Sequence, residues 1–235
     1  MKKLFQGSQT YPFLPYTQIR DRLKPGDVIA FSGKDFPSTG VKVATCSSFV
    51  HVAIVFQAHQ PGHYEDSVLI AESHIDTSLP SVGTGKRILG VQLQWLAQRI
   101  IATDCPVWWA ALKHPLHPKA LSTMQQWLLE VEQQRIPYDF VQAIGAGFDL
   151  LDRWGIENQA DDSALFCSEL VIRALQIAEV VDPEINASEQ TPLNVMELSC
   201  FQPIVLIKNP ELNSQSLTKG EVIELPVYQD EEMGA

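Results

Sequence analysis

Positive charge is scarce in this sequence: 17 lysines and arginines face 28 aspartates and glutamates over 235 residues, a formal net charge of −11. So acidic a surface repels nucleic-acid phosphates and anionic headgroups, which argues against nucleic-acid binding. Long apolar runs are also missing. The longest beside a candidate strand, Phe49–Phe56, is about eight residues and is interrupted by His51, whereas a membrane-spanning helix needs about 20. Met1-Lys2-Lys3 opens like a signal peptide, but Leu4-Phe5 runs straight into Gln6-Gly-Ser-Gln-Thr10 without an apolar core. A cytoplasmic location is therefore expected. Cysteines are few and far apart (Cys46, Cys105, Cys167, Cys200), with no C-x-x-C pair, against both a zinc ribbon and a disulfide framework. No repeat or low-complexity linker divides the chain, so one domain is expected.

What is present is an alternation of strand and helix signals around a 45% hydrophobic composition, enough for a sizeable core. Residues 1–22 form a lead-in with little expected regular structure; 23–210 form the main domain; 211–235 carry a strand-like segment (Glu221–Tyr228) and an acidic tail. Leu23-Lys-Pro-Gly-Asp27 signals a tight turn feeding a short strand, Val28–Phe31. A polar loop or short helix over residues 33–47 follows. Ser48–Phe56 is the clearest strand, rich in β-branched and aromatic residues and apolar on both sides except at His51. That pattern places it centrally in a sheet, with a histidine aimed into covered space. Ser67–Ser73 is the next strand, its apolar run broken by Glu72. If the two pair antiparallel with Phe56 opposite Ser67, residue 51 falls directly opposite residue 72. Opposed Cβ atoms are about 4.5–5.5 Å apart, close enough for an imidazole–carboxylate hydrogen bond; a slip of two would leave them diagonal. Ile88–Leu96, Val107–Leu112 and Pro203–Lys208 read as further strands. Pro118–Gln134 reads as an amphipathic helix with Leu121, Met124, Trp127, Leu128 and Val131 on one side, and a helical stretch starts at Tyr138. Thr191-Pro-Leu193 reads as a turn.

The segment Ser163–Val180 carries Leu165, Leu170, Val171, Ala174, Leu175 and Ala178 at three- and four-residue steps, one apolar stripe of a helix. Ser163 or Asp162 suits the N-cap, which would put Cys167 in the first turn, where the helix dipole favours a thiolate. Free cysteines are also ordinary small core residues, so the helix alone does not make Cys167 a nucleophile. Cys46, five residues before His51, lacks such a helix; Cys105 and Cys200 read as structural. His59 and His63 have metal-like spacing without a second ligand pair, so no metal and no cofactor is expected. Gly83-Thr-Gly-Lys-Arg87 fails as a phosphate loop, because Pro80 and Arg87 stand where Gly and Ser/Thr are required.

Cys167, His51 and Glu72 together form the set that thiol catalysis needs: a nucleophile, a base that returns the proton to the leaving group, and a polar group that orients the imidazole. The blocks Leu-Lys-Pro-Gly-Asp-Val (23–28), Ser-Ser-Phe-Val-His-Val-Ala-Ile-Val (47–55), Ala-Glu-Ser (71–73), Tyr-Asp-Phe (138–140), Phe-Cys-Ser-Glu-Leu-Val (166–171) and Thr-Pro-Leu (191–193) resemble the circularly permuted NlpC-type, YiiX-like cysteine hydrolases. These are papain-like in core and distant kin of the lecithin:retinol acyltransferases. The resemblance spans about residues 23–210, with the histidine strand before the cysteine helix, the reverse of papain. It implies an α+β, permuted papain-like fold with an antiparallel sheet packed against the nucleophile helix. It further implies Cys167 as nucleophile, His51 as base and Glu72 as third residue. The implied activity is hydrolysis of an amide or ester in a small-molecule, peptide or lipid-derived substrate through an acyl-enzyme. The backbone amide of Cys167 would serve as oxyanion donor. An acyltransferase or lipid amidase on the same residues, or a binding module keeping the fold, are the alternatives.

Overall fold

The computed structural model describes residues 11–32, 48–58, 68–74, 78–134 and 162–210, with side chains from 167 onward in the last stretch. The expectations for 33–47, for the helix from Tyr138, for the segment 221–228, for the cap at Asp162 or Ser163, and for Cys46, His59 and His63 lie outside the described residues. Six strands form one sheet: β1 (Val28–Phe31), β2 (His51–Gln57), β3 (Leu69–His74), β4 (Gly90–Trp95), β5 (Val107–Ala110) and β6 (Val205–Lys208). Their order is β4-β3-β2-β1-β5-β6, with every neighbouring pair antiparallel. As the two apolar sides of β2 require, that strand is flanked on both sides. Among the described residues the helices are α1 (Tyr16–Ile19), α2 (Leu96–Ala102), α3 (Pro118–Gln133), α4 (Asp162–Ile177) and α5 (Pro192–Met196). None of the described helices is long and apolar enough to cross a membrane.

The period-two alternation of the strands divides the interior in two. Val28, Ala30, Val52, Ile54, Ala71, Leu93 and Trp108 face Met124 and Leu128 of α3 and Leu170, Ala174 and Leu175 of α4. Burial of each leucine there stabilises the fold by about 2 kcal/mol. On the reverse face, Ile29, Phe31, Ala53, Val55, Ile70 and Trp109 meet Leu96 and Ile100 of α2 and Tyr16, Ile19 and Leu23 from the N-terminal segment. The lead-in therefore departs from expectation after Tyr11: it forms α1 and a 3₁₀ turn, Arg20–Arg22. Tyr16 and Ile19, three apart, are enough to seat one helical turn on the sheet.

Local chemistry sets the element ends. The turn before β1 is closed by Asp27, whose carboxylate accepts from the Lys24 and Leu112 amides and from Trp109 Nε1, each at 2.9 Å. Gly26 beside it has φ +93°, a left-handed conformation suited to glycine. Burial pushes the Asp27 carboxyl up to about 6, against the opposing pull of those three donors and of Lys24. Thr191-Pro-Leu193, expected as a turn, is instead the start of α5: Thr191 and Asn194 form a reciprocal capping box, with Pro192 in the first turn. The outer strands carry bonds on their far sides too. Val82 N donates to Leu93 O at 2.8 Å, and Leu93 N donates to Ser81 Oγ at 2.9 Å. Ser81 Oγ also donates to the buried Glu132 carboxylate at the end of α3. At the opposite margin, Leu14 N donates to Leu206 O and Leu206 N to Pro12 O, both at 2.9 Å.

Candidate active site

The site begins with register. β2 and β3 pair as Ile54↔Ala71 and Val55↔Ile70, then shift at Phe56, so that Gln57 meets Leu69. The extra residue is a β-bulge. In the register beyond it, the direct pairing of 51 with 72 assumed from sequence is displaced by two residues. Continuing the observed register, His51 stands opposite His74, and Glu72 is its diagonal neighbour on the same face. The histidine rings are 4.7 Å apart and nearly perpendicular. The diagonal still suffices: His51 Nε2 and Glu72 Oε2 are 2.8 Å apart, with the histidine side chain 2% exposed and the glutamate 0%.

His51 also hydrogen-bonds the thiol of Cys167. With Nε2 held by Glu72, the ring nitrogen left for sulfur is Nδ1. The alternation of β2 aligns His51 with Ala53 and Val55, on the face covered by α2, whereas Cys167 packs within the cluster on the other face. Because His51 is the first residue of its strand, the contact spans the end of the sheet. Phe31, opposite it on β1, flanks the imidazole at 5.7 Å between centroids.

Arg99 completes the group. Its Nε forms an ion pair with Glu72 Oε1 at 2.7 Å, and its Nη2 donates to Oε2 at 3.3 Å. The guanidinium lies 5.6 Å from the Phe31 ring centroid. Burial works against charge on Glu72, but Arg99 above all, then the hydrogen bond with His51 and the nearby His74, hold its carboxyl well below the usual range. Burial likewise disfavours a charged His51. The Cys167 thiolate and its hydrogen bond, joined by Glu72, outweigh that and push the imidazole up to about 9. At neutral pH the arrangement thus holds a charged imidazole beside an ionised carboxylate, with Arg99 as second cation and the Cys167 sulfur on the other side of the ring.

Sequence reasoning picked out three of these residues and missed two. Nothing in Leu96–Ala102 marks Arg99, since a single arginine on a short helix is normally a surface residue. His74 sits at the end of its strand, where polar residues are unremarkable. Together His51, Glu72 and His74 place donor atoms within 4.8 Å of one another, a spacing that could hold a metal ion. Both Glu72 oxygens are already engaged, however, one by His51 and both by the Arg99 fork.

α4 carries Cys167, which is buried. Of the other cysteines, Cys105 is buried, and burial raises the Cys200 thiol above its ordinary value. No protein-family model matches the chain, and no curated protein does so either.

Proposed function

We propose that this chain is a cysteine-dependent hydrolase of permuted papain-like, NlpC-type architecture, cleaving an amide or ester through an acyl-enzyme on Cys167. The observation that carries the reading is a buried His51 linked to the Cys167 thiol on one side and to Glu72 on the other. The Cys167 thiolate attacks the substrate carbonyl carbon. The imidazolium of His51 then gives its proton to the departing amine or alcohol as the carbon–heteroatom bond breaks, leaving a thioester. Neutral His51 next takes a proton from water. The resulting hydroxide attacks the thioester, the carbon–sulfur bond breaks to release the acid, and the thiolate re-forms beside the protonated His51. Glu72 orients the ring and stays ionised throughout, as in triads built on other folds.

The test is chemical. Limiting iodoacetamide near neutral pH should label Cys167 ahead of Cys200, although Cys200 is the more exposed of the two. Accessibility alone predicts the opposite order, and that order would defeat the reading. Incubation with pools of peptides, esters and fatty amides, followed by intact-mass analysis, should reveal an acyl adduct that Cys167→Ala lacks.

A further inference from the structure

We propose that Arg99 is a positioning residue of this site, gripping both oxygens of Glu72 from the side away from His51 and so fixing the orientation in which the carboxylate holds the imidazole against Cys167. The inference rests on the reading of Cys167 as nucleophile. A carboxylate hydrogen-bonded only to a histidine can rotate about its last torsion, and the ring rotates with it. Two nitrogens of one planar guanidinium, at 2.7 and 3.3 Å from the two carboxylate oxygens, remove that freedom.

Arg99 is itself immobilised. It is 8% exposed, between the buried Leu96 and Ile100, and its guanidinium rests on Phe31, the residue that also flanks His51. The end of its helix is tied down from β6, where Lys208 Nζ donates to the carbonyls of Ile100, at 2.7 Å, and Thr103. A chain of contacts thus runs from Lys208 through α2 and Arg99 to Glu72, His51 and Cys167. Among the described residues, the charged and titratable groups facing Glu72 are Arg99 from α2, His51 from β2 and His74 from its own strand. Its register partner on β4 is the neutral Gln92, and Cys167 acts on it through His51.

The experiment follows the alkylation of Cys167 from about pH 4 to about pH 9 in the full chain. Variants are Arg99→Gln, Arg99→Lys, Glu72→Gln and the double variant Glu72→Gln/Arg99→Gln, with thermal melts as the folding control. With Arg99→Gln, the rate at about pH 6 should fall at least about tenfold, and a new inflection should enter the carboxylate range as Glu72 titrates. Arg99→Lys keeps the charge but not the fork, and should slow labelling about threefold without the new inflection. Combined with Glu72→Gln, the Arg99→Gln change should add nothing, because its effect passes through the carboxylate. A wild-type profile in both Arg99 variants, while Glu72→Gln slows labelling, would overturn the positioning role and leave the nucleophile reading standing. Additive losses in the double variant would also overturn it. If wild-type Cys167 shows no selective labelling, the nucleophile reading falls and this inference with it. Should Arg99→Gln not fold, the Arg99→Lys profile decides, and an unchanged rate rejects the proposal.

Discussion

Two buried carboxylates, Asp27 before β1 and Glu72 on β3, show how the neighbours of an acid set its charge. Both are almost inaccessible, at 2% and 0% exposure, and both are hydrogen-bonded. Asp27 is met by two amides and an indole N–H, all neutral, with Lys24 contributing the weakest pull, and its carboxyl rises to about 6. Glu72 is met by a guanidinium and an imidazole, and its carboxyl falls well below the usual range. At Asp27 neutral donors do not outweigh burial, whereas at Glu72 the added pull of nearby cations does. Asp27 ties the turn before β1 to β5, whereas Glu72 holds an ionised state that His51 can lean on.

The largest way to sharpen this contrast is to remove the imidazole. His51→Ala should lower Cys167 alkylation near neutral pH, and any turnover, by about 10²–10⁴-fold, while Asp27→Asn should leave both within about twofold. An equal loss in Asp27→Asn would break the distinction. Next, Glu72→Ala leaves the Arg99 charge buried without its partner and should cost about 3–5 kcal/mol of stability in urea unfolding. A loss under about 1 kcal/mol would mean that water reaches the guanidinium. Glu72→Gln keeps the shape and loses the charge, so labelling should slow by about 10²-fold, less than for loss of the base.

The smallest effect lies at Asp27. Asp27→Asn turns an amide NH₂ toward one of the three donors and should cost about 1–3 kcal/mol. Because the folded-state pKa is raised from 3.8 to about 6, the wild-type contribution is full below about pH 4 and is lost as pH rises through about 6. The stability gap between wild type and Asp27→Asn should therefore be wider at about pH 4 than at about pH 7.5. His51 has the same sign in a different window, its contribution being full below about 6.5 and lost as pH rises through about 9. A Glu72 contribution, its carboxyl being lowered, is present above the ordinary carboxylate range and is lost only in strong acid. Melting curves of wild type and the single variants across pH would separate the three.

Much of the sheet was legible in the sequence because burial leaves period-two and period-3.6 signatures that survive without tertiary information. His51 and Glu72 stood out because each interrupts an otherwise apolar strand, and interruption of a buried pattern is visible one residue at a time. The register was not legible: it depends on the bulge at Phe56, and nothing in Val55-Phe56-Gln57 marks an extra residue. Arg99 escaped notice because its role exists only once α2 folds over β3, 27 residues back in the chain. The Thr191 cap carried a readable signal, a threonine followed by proline and then, two further on, asparagine, which suits a helix start as well as a turn.

Each outer strand of the sheet has the main-chain groups at its middle occupied by its own chain, Ser81 and Val82 along β4 and the segment Pro12–Leu14 along β6. A lateral margin left open would be a template on which another molecule could add a strand and seed aggregation. Occupied margins favour copies that stay separate even when concentrated. Gly83 carries part of that protection, since a methyl group there would collide with the Glu132 carboxylate that braces Ser81. Gly83→Ala would prise one margin loose, and self-association on gentle warming would be its visible sign.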